Sequence, residues 1–156
     1  MRADTRRSAE SVVDREVVIT RVFDAPRRLL FEAYSKPEHV QRWFGPKGFS
    51  LPLCEMDFRV GGRFRFGMRG PDGTDFPPFG GEYLEIVPDE RIVYSSGWDD
   101  DEKFIVTVTY ADAAEGRTTM TIHTLFASIA QKNQHVGRGY VGGVSAGLDK
   151  LEEYVR

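Results

Sequence analysis

The sequence has 156 residues, of which 24 are acidic and 21 basic, with a net charge of -3 and an aromatic content of 12%. This length fits one domain with a sizeable core, and the balanced charge without a long basic cluster argues against nucleic acid as a partner. The single cysteine excludes an internal disulfide, and no apolar run is typical of a membrane span or a signal peptide. We therefore expect a cytoplasmic protein, monomeric or homodimeric, that binds neither nucleic acid nor a membrane.

The N-terminal residues are predicted to form a tail followed by a strand. Residues 1–14 show no periodicity, so we expect a disordered tail in front of a single domain over residues 15–156. Residues 16–23 are rich in β-branched side chains, which favours a strand.

Two short helices are predicted directly after this strand. Asp24 has the side chain to cap the first helix, and Pro26 suits its first turn. Ser35 and Glu38 have the spacing of a capping box for the second helix, which Gly45 ends. Two helices in succession are expected to brace one end of a sheet.

The next predicted strand changes its phase. Its apolar residues stand at odd positions over residues 49–53 and at even positions from Cys54 onward. Pro52 lies at this change and has no N–H to donate to a neighbouring strand. We therefore expect an edge strand or a β-bulge at this point.

A predicted hairpin with the sequence CEMDFRVGGRFRFGM follows, and the rest of the chain is expected to be organised around it. Apolar and charged side chains alternate on both sides of its glycine pair, as they do in two strands. An odd loop, such as residues 60–62, sets Phe58 opposite Phe64 and Asp57 opposite Arg65, with one glycine at positive φ. The resulting face of Phe and Met can line a pocket, although composition alone favours an ordinary core.

The middle of the chain has the pattern of an antiparallel meander. Residues 70–80 are dense in turn-forming residues and are predicted to form a loop. Strands with alternating apolar side chains are predicted at residues 81–87, 91–97, 103–110 and 117–126. Their short connections favour pairing between consecutive strands.

The C-terminal residues are predicted to form one long helix from about Gln131. An apolar stripe begins at Tyr140, and Gly139, Gly143 and Gly147 form a second stripe beside it. Each glycine costs a helix about 1 kcal/mol relative to alanine, so this stripe needs a physical reason. The glycines either let the backbone pack closely on a neighbour or leave space open.

Four segments carry a resemblance to a known family. They are VFDAPRRLLFEAYSKPEHVQRWFGP, DFRVGGRFRFGM, GGEYLEIVPDERIVYSSGW and GLDKLEEYV. Their sequences resemble the START-like (SRPBCC) superfamily, and within it the branch named for homology to the activator of heat-shock-protein-90 ATPase. The resemblance runs from about Glu16 to the C-terminus. It implies an α+β helix-grip fold, in which a curved antiparallel sheet of six or seven strands wraps around a long C-terminal helix, with two short helices after the first strand.

The resemblance also implies a cavity between the sheet and the last helix. The residues that match its walls are Trp43, Met56, Phe58, Phe64, Phe66, Met68, Phe104, Val106, Tyr140, Gly143 and Val144. Tyr83 and Tyr94 are added as ligand-binding candidates with a polar group. Many relatives have a Gly-Trp pair where this chain has Gly143 and Val144, so the shape of their cavities does not transfer to it.

The sequence offers no catalytic set, and neither a metal nor a cofactor is expected. Cys54 shares its strand face with apolar side chains, so we interpret it as a small buried thiol. His39, His123 and His135 lack the spacing of metal ligands. Glu85 is a candidate acid-base group that needs a position inside the cavity.

Three functions are compatible with the resemblance, because a shared fold does not select among them. We favour binding of a small hydrophobic or aromatic molecule in the cavity, without catalysis. A cyclase or dehydratase is the alternative and needs a buried carboxylate, histidine or tyrosine that points into the cavity. A chaperone-interacting module is the third hypothesis.

Overall fold

A computed structural model describes residues 10–98 and 102–156 of the chain. The strands are β1 (Glu16–Phe23), β2 (Ser50–Met56), β3 (Arg63–Arg69), β4 (Phe79–Val87), β5 (Arg91–Ser96), β6 (Phe104–Asp112) and β7 (Thr118–Leu125). The helices are α1 (Val12–Arg15), α2 (Arg27–Ser35), α3 (Pro37–Trp43), α4 (Ile129–Gly137) and α5 (Tyr140–Tyr154).

The strands form one curved antiparallel sheet of seven strands in the order β1-β7-β6-β5-β4-β3-β2. Consecutive strands from β2 to β7 pair with each other, and β1 closes the order by pairing with β7. The helices cover one face of this sheet, and a single core of apolar side chains lies between the two layers. The predicted helix-grip fold and its meander are confirmed.

The N-terminal part of the chain differs from the predicted tail near its end. Ser11 accepts a hydrogen bond from the backbone N–H of Val13 and caps the short helix α1. The predicted tail therefore ends before this helix. Residues 1–9 lie outside the described residues.

The two helices after β1 are confirmed, but their predicted caps are wrong. Pro26 occupies the N-cap position of α2, so Asp24 lies outside the helix. Lys36 is the N-cap of α3 because Ser35 still belongs to α2, where its hydroxyl donates to the Glu32 carbonyl over 2.8 Å. A hydroxyl that bonds back into the preceding turn cannot cap the next helix.

The strand with a change of phase is an edge strand with a bulge, as predicted. β2 has one neighbour in the sheet, and its register with β3 shifts between Ser50 and Leu53. The shift brings both Leu51 and the later even-numbered residues toward the core.

The hairpin of β2 and β3 has its predicted faces but a register that differs by two residues. Met56 lies opposite Phe64, where the prediction set Phe58. The connection is longer than predicted because Gly61 bonds to the carbonyl of Tyr83, outside the hairpin. The paired residues Met56 and Phe64 still enclose an odd number of residues, and Gly61 has the predicted positive φ, at 86°. A shift of two leaves every side chain on its predicted face.

The charged side chains of the hairpin follow the shifted register. Asp57 binds Arg59, two residues away, with 3.0 Å between its Oδ2 and the Nε of Arg59. Arg65 lies opposite Glu55 instead, because of the shifted register.

The predicted C-terminal helix is interrupted. α4 ends at Gly137, and Gly139 has a left-handed conformation with φ of 90° before α5 begins at Tyr140. Glycine adopts this conformation without the strain that a side chain would add. α5 then packs on α3 and on β1. The residues of its first half are half-buried or exposed.

Candidate functional site

A small cavity lies between the sheet and the helices, and we call it the inner cavity. It has a volume of about 30 Å³. Its walls are formed by Tyr34, Val40, Trp43, Phe44, Phe58, Phe64, Phe66, Tyr83, Ile92 and Tyr94. Seven of these ten residues are aromatic Phe or Tyr, so the walls are mainly aromatic rings.

The alternation of the strands places one wall of the inner cavity. Phe64 and Phe66 of β3 point inward, while Arg63 and Arg65 are exposed on the opposite face of the sheet. Tyr94 of β5 packs edge-on against Phe64, with ring centroids 5.4 Å apart and planes at 89°. This arrangement is one that aromatic pairs prefer.

The two short helices place the opposite wall. Trp43 at the end of α3 donates its indole N–H to the carbonyl of Ala33 in α2, over 3.0 Å. Its ring lies 4.7 Å from the ring of Tyr34, and Phe44 beyond the helix packs on Phe66 at 5.2 Å. The helices and strand β3 therefore meet through aromatic rings around the cavity.

Tyrosine hydroxyls are the main polar groups in the inner cavity. Among the described residues, none forms a hydrogen bond with the hydroxyl of Tyr34, Tyr83 or Tyr94. The hydroxyl of Tyr110, next to Tyr34, is fully buried and also lacks a partner there. Buried polar groups without a partner are unusual in folded proteins and call for a physical reason.

The environment of these tyrosines raises their pKa values. Burial raises the pKa of Tyr94 well above its usual range, and the neighbouring phenols of Tyr34, Tyr140 and Tyr83 raise it further. Burial is also the largest cause of the raised pKa of Tyr34 and Tyr83. These side chains are therefore neutral hydrogen-bond donors at neutral pH.

The inner cavity is too small for an aromatic ligand in this conformation. Its 30 Å³ equals the volume of about one water molecule, whereas a cavity of about 150 Å³ holds benzene. Side chains or α5 must therefore move before a larger molecule can enter.

The glycines of α5 differ in their surroundings. A Cβ atom on Gly142 would meet nothing within 4 Å, and one on Gly143 would contact only the ring of Pro46 at 3.5 Å. A Cβ on Gly147 would lie 3.3 Å from the carbonyl oxygen of Trp43. Close packing therefore explains Gly147, whereas Gly142 is exposed and no contact requires a glycine there.

The predicted site residues fall into two groups. Those that line the inner cavity are Trp43, Phe58, Phe64, Phe66, Tyr83 and Tyr94. Those that the structure places elsewhere are Met56, Met68, Phe104, Val106, Tyr140, Gly143 and Val144. Phe104 and Val106 are buried in the core, where Phe104 packs on Phe126 at 5.1 Å. That residues of either group bind a ligand stays a prediction.

Sequence reasoning missed Tyr34, Val40, Phe44 and Ile92 as cavity residues. The first three belong to the apolar stripes of the two helices, so their burial was visible in the pattern. Their contact with β3 depends on how the helices cross the sheet, which periodicity does not give.

A second hollow, the outer groove, includes exposed side chains of β2 and β3 and has a volume of about 340 Å³. Its lining residues are Glu55, Arg63, Phe64, Arg65, Pro78, Phe79, Gly80, Gly81, Gly97, Trp98 and Lys103. Trp98 is 55% exposed at its edge and donates its indole N–H to the Pro77 carbonyl. Lys103 donates to the carbonyls of Gly80 and Gly97.

The candidate catalytic groups lie away from the inner cavity. Glu85 points to solvent, where Arg91 binds it at 2.8 Å and lowers its pKa. Cys54 is half-buried, and burial raises the pKa of its thiol to about 11. His39 bonds to the hydroxyl of Tyr154, and His123 lies 3.4 Å from Glu16. No group of three or more metal-binding side chains occurs within the described ranges.

The family of the chain follows from its sequence and its fold together. The family described as "Activator of Hsp90 ATPase homolog 1-like protein" matches residues 24–156. The chain belongs to this family. It is a START-like branch related to the homologues of the Hsp90 ATPase activator. Membership supports a ligand-binding or an ATPase-activator-like protein and selects neither.

Solved structures from several bacteria have the same fold. A protein of Chromobacterium violaceum is 30% identical, with a TM-score of 0.77 and coverage of 90% of this chain and 96% of that one. A protein of Nitrosomonas europaea is 24% identical, with a TM-score of 0.81 and coverage of 90% and 93%. CalU16 of Micromonospora echinospora is 20% identical, with a TM-score of 0.65 and coverage of 90% and 75%. Among functionally curated proteins, none matches the sequence.

The helices of the described residues are short or amphipathic. None of them has the length and apolar character that crossing a membrane requires.

Proposed function

We propose that the protein binds a small aromatic or apolar molecule in the inner cavity, after α5 or the adjacent rings move to enlarge it. The observation that carries this proposal is a set of three tyrosines, Tyr34, Tyr83 and Tyr94, that line a cavity of aromatic rings and whose hydroxyls bond to no described residue. A closed core has no reason to hold several polar groups in this state.

No residue of α5, which the structure describes in full, lines the inner cavity. The first half of this helix is the weakly packed neighbour of the cavity whose movement would enlarge it at the lowest cost. Val141 is 41% exposed, and the positions of Gly137, Gly139 and Gly142 have open space around them. Gly139 separates α5 from α4 and supplies the flexible backbone that a hinge needs. Elements that admit ligands usually come from such weakly packed parts of a fold.

Binding would gain its free energy mainly from apolar burial. Each Å² of apolar ligand surface removed from water contributes about 25 cal/mol, before the cost of enlarging the cavity is subtracted. The aromatic walls add edge-to-face contacts to a bound ring. A small, rigid, largely aromatic molecule therefore suits this site.

Tyr83 and Tyr94 line the cavity and so meet the positional requirement of a cyclase or dehydratase, but their protonation disfavours a role as general base. The ionisable groups among the lining residues are Tyr34, Tyr83 and Tyr94, and burial raises the pKa of each. A general base works best when its pKa lies near the working pH. Activation of a chaperone ATPase is supported by the family description and by no feature of the inner cavity.

Titration with toluene and naphthalene, followed by amide chemical shifts in ¹H–¹⁵N spectra, tests the proposal. The expected shifts are centred on residues of the inner cavity and on α5. The variant Phe66→Leu should change the dissociation constant severalfold, because Phe66 is part of the wall. The matched control Trp98→Ala, in the outer groove, should leave it unchanged.

Two results would overturn the proposal. One is the absence of shifts with both probes at their solubility limits. The other is a pattern centred on the outer groove that Trp98→Ala abolishes, which would transfer binding to that groove.

A further inference from the structure

The polar atoms of the inner cavity are few and of one chemical kind. The indole nitrogen of Trp43 is already bonded to the Ala33 carbonyl. What is left on the walls is the set of hydroxyls of Tyr34, Tyr83 and Tyr94, which lack protein partners among the described residues. Tyr83 is buried at 5% exposure, and Tyr34 and Tyr94 are half-buried.

Tyr94 lies at the centre of this set. Its pKa responds to Tyr34, Tyr83 and Tyr140, which belong to three other elements of the fold. The phenols of α2, β4, β5 and α5 are therefore close enough to influence each other electrostatically. No hydrogen bond joins one of them to another within the described part of the chain. Their O–H groups are therefore available to a ligand that enters the cavity.

The chemistry of that partner follows from the donors. Neutral phenols in an apolar cavity offer O–H groups, and a carbonyl oxygen accepts two hydrogen bonds with its two lone pairs. A carboxylate would lose its hydration without meeting a cation, because the lining residues include no lysine, arginine or histidine. An ammonium group would gain contacts with ring faces but would also lose its hydration without meeting a carboxylate, because the lining residues include no aspartate or glutamate. A neutral acceptor therefore fits these walls best.

The volume of the cavity supports the same class of group. About 30 Å³ holds one water molecule or one carbonyl oxygen with its carbon, but not a ring. The cavity present in this conformation is thus the space for the polar end of a ligand, and the ring needs the additional space that movement of α5 provides.

We propose that the hydroxyls of Tyr94 and Tyr34 donate hydrogen bonds to a carbonyl oxygen, and that the ligand class is a neutral aromatic ketone or aldehyde. This inference rests on the proposed function and adds the group that the site selects. Tyr83 is placed to complete the polar end of the cavity.

Two pairs of probes with matched shapes separate the carbonyl from the ring. Acetophenone and isopropylbenzene form the smaller pair, and 2-acetylnaphthalene and 2-isopropylnaphthalene the larger one. Dissociation constants are measured for the native chain and for Tyr94→Phe, Tyr34→Phe and the control Tyr154→Phe, whose hydroxyl bonds to His39 instead. Tyr94→Phe removes an unpartnered hydroxyl, so the variant should fold at least as well as the native chain.

The expected result is a selective loss. Tyr94→Phe and Tyr34→Phe should each weaken binding of the ketone about fivefold, the equivalent of one hydrogen bond, and leave the hydrocarbon unchanged or tighter. Tyr154→Phe should change neither probe. The C=O stretch of bound ¹³C-labelled acetophenone should lie at a lower frequency in the native chain than in Tyr94→Phe.

The outcomes separate this inference from the proposed function. If both probes of a pair bind but Tyr94→Phe and Tyr34→Phe affect them equally, the selection of a carbonyl is wrong and the binding site stands. If no probe of either pair binds, both proposals are wrong.

Discussion

The hydroxyls of Tyr140 and Thr124 lie 2.7 Å apart and join the first turn of α5 to strand β7. Thr124 is almost fully buried, at 1% exposure, and Tyr140 is half-buried. Because Gly139 directly precedes this turn, the bond is one of few polar contacts that hold the start of α5 on the sheet. The movement of α5 that we propose has to break this hydrogen bond.

Thr124→Val should lower the free energy of unfolding by about 1–3 kcal/mol, because it leaves the hydroxyl of Tyr140 without its partner in a buried place. Urea unfolding measures the change. Thr121→Val, on the same strand but facing outward, is the matched control and should have little effect, since its contact with Thr20 is exposed and long at 3.4 Å. Equal losses in the two variants would contradict the role of the bond.

Much of the fold could be predicted because each element has a local signal. The alternation of Phe64 and Phe66 with arginines fixed the faces of β3, and Pro52 indicated the edge strand and its bulge. The hairpin register could not be predicted, because it depends on the bond from Gly61 to Tyr83, a residue of another strand. The two-residue alternation of side chains in a strand does not indicate tertiary contacts of this kind.

Only part of the candidate site could be predicted, because some of its contacts also depend on tertiary structure. Strand residues such as Phe64 and Tyr94 follow from alternation once the buried face is known. Phe44 enters the cavity after the end of α3, and Tyr140 leaves it because α5 begins only after the break at Gly139. The break could have been suspected from the glycines of this segment, but not located among them.

The free space at Gly142 and the close packing at Gly147 predict opposite effects of a substitution by alanine. Gly142→Ala should stabilise the protein by about 0.5–1 kcal/mol, because alanine favours a helix and nothing lies within 4 Å. Gly147→Ala should lose that advantage or destabilise, since its Cβ would press on the backbone of Trp43 and Gly45 at 3.3 and 3.5 Å.

Thermal and urea unfolding of the two variants, measured side by side, check this difference. A stabilising Gly147→Ala would mean that α5 is not held closely on the end of α3. The loss of stability in Gly142→Ala would instead show that space at this position is needed by the native state.

Cys54 is expected to react slowly with thiol reagents. Burial raises the pKa of its thiol to about 11. Compared with the ordinary value of 9.0, this lowers the thiolate fraction at pH 8 by roughly 100-fold, and the thiolate is the reacting form. The rate of iodoacetamide modification in the native state should therefore be at least that much below the rate in urea, where the same cysteine is its own control. Similar rates would show that the thiol is exposed and unperturbed.

The buried tyrosines predict a loss of stability at alkaline pH. The folded pKa values of Tyr34, Tyr83, Tyr94, Tyr110 and Tyr140 are all raised above the model-compound value of 10.0. Above pH 10 the unfolded chain therefore releases protons that the folded chain keeps. Stability should be insensitive to these groups below pH 10 and fall by up to about 1.4 kcal/mol per pH unit for each tyrosine above it.

Lys150 acts in the opposite direction, because burial lowers its pKa below 10.5. Below that pH the unfolded chain holds the proton more tightly than the folded one, so stability rises as the pH increases toward 10.5. One lysine against five tyrosines does not change the sign above pH 10.5, where its effect ends. Tyrosinate absorbance at 295 nm, recorded with circular dichroism, should show these five phenols ionising together with unfolding. Their ionisation in a chain that stays folded would mean that the phenols meet water and that the inner cavity is open in the native state.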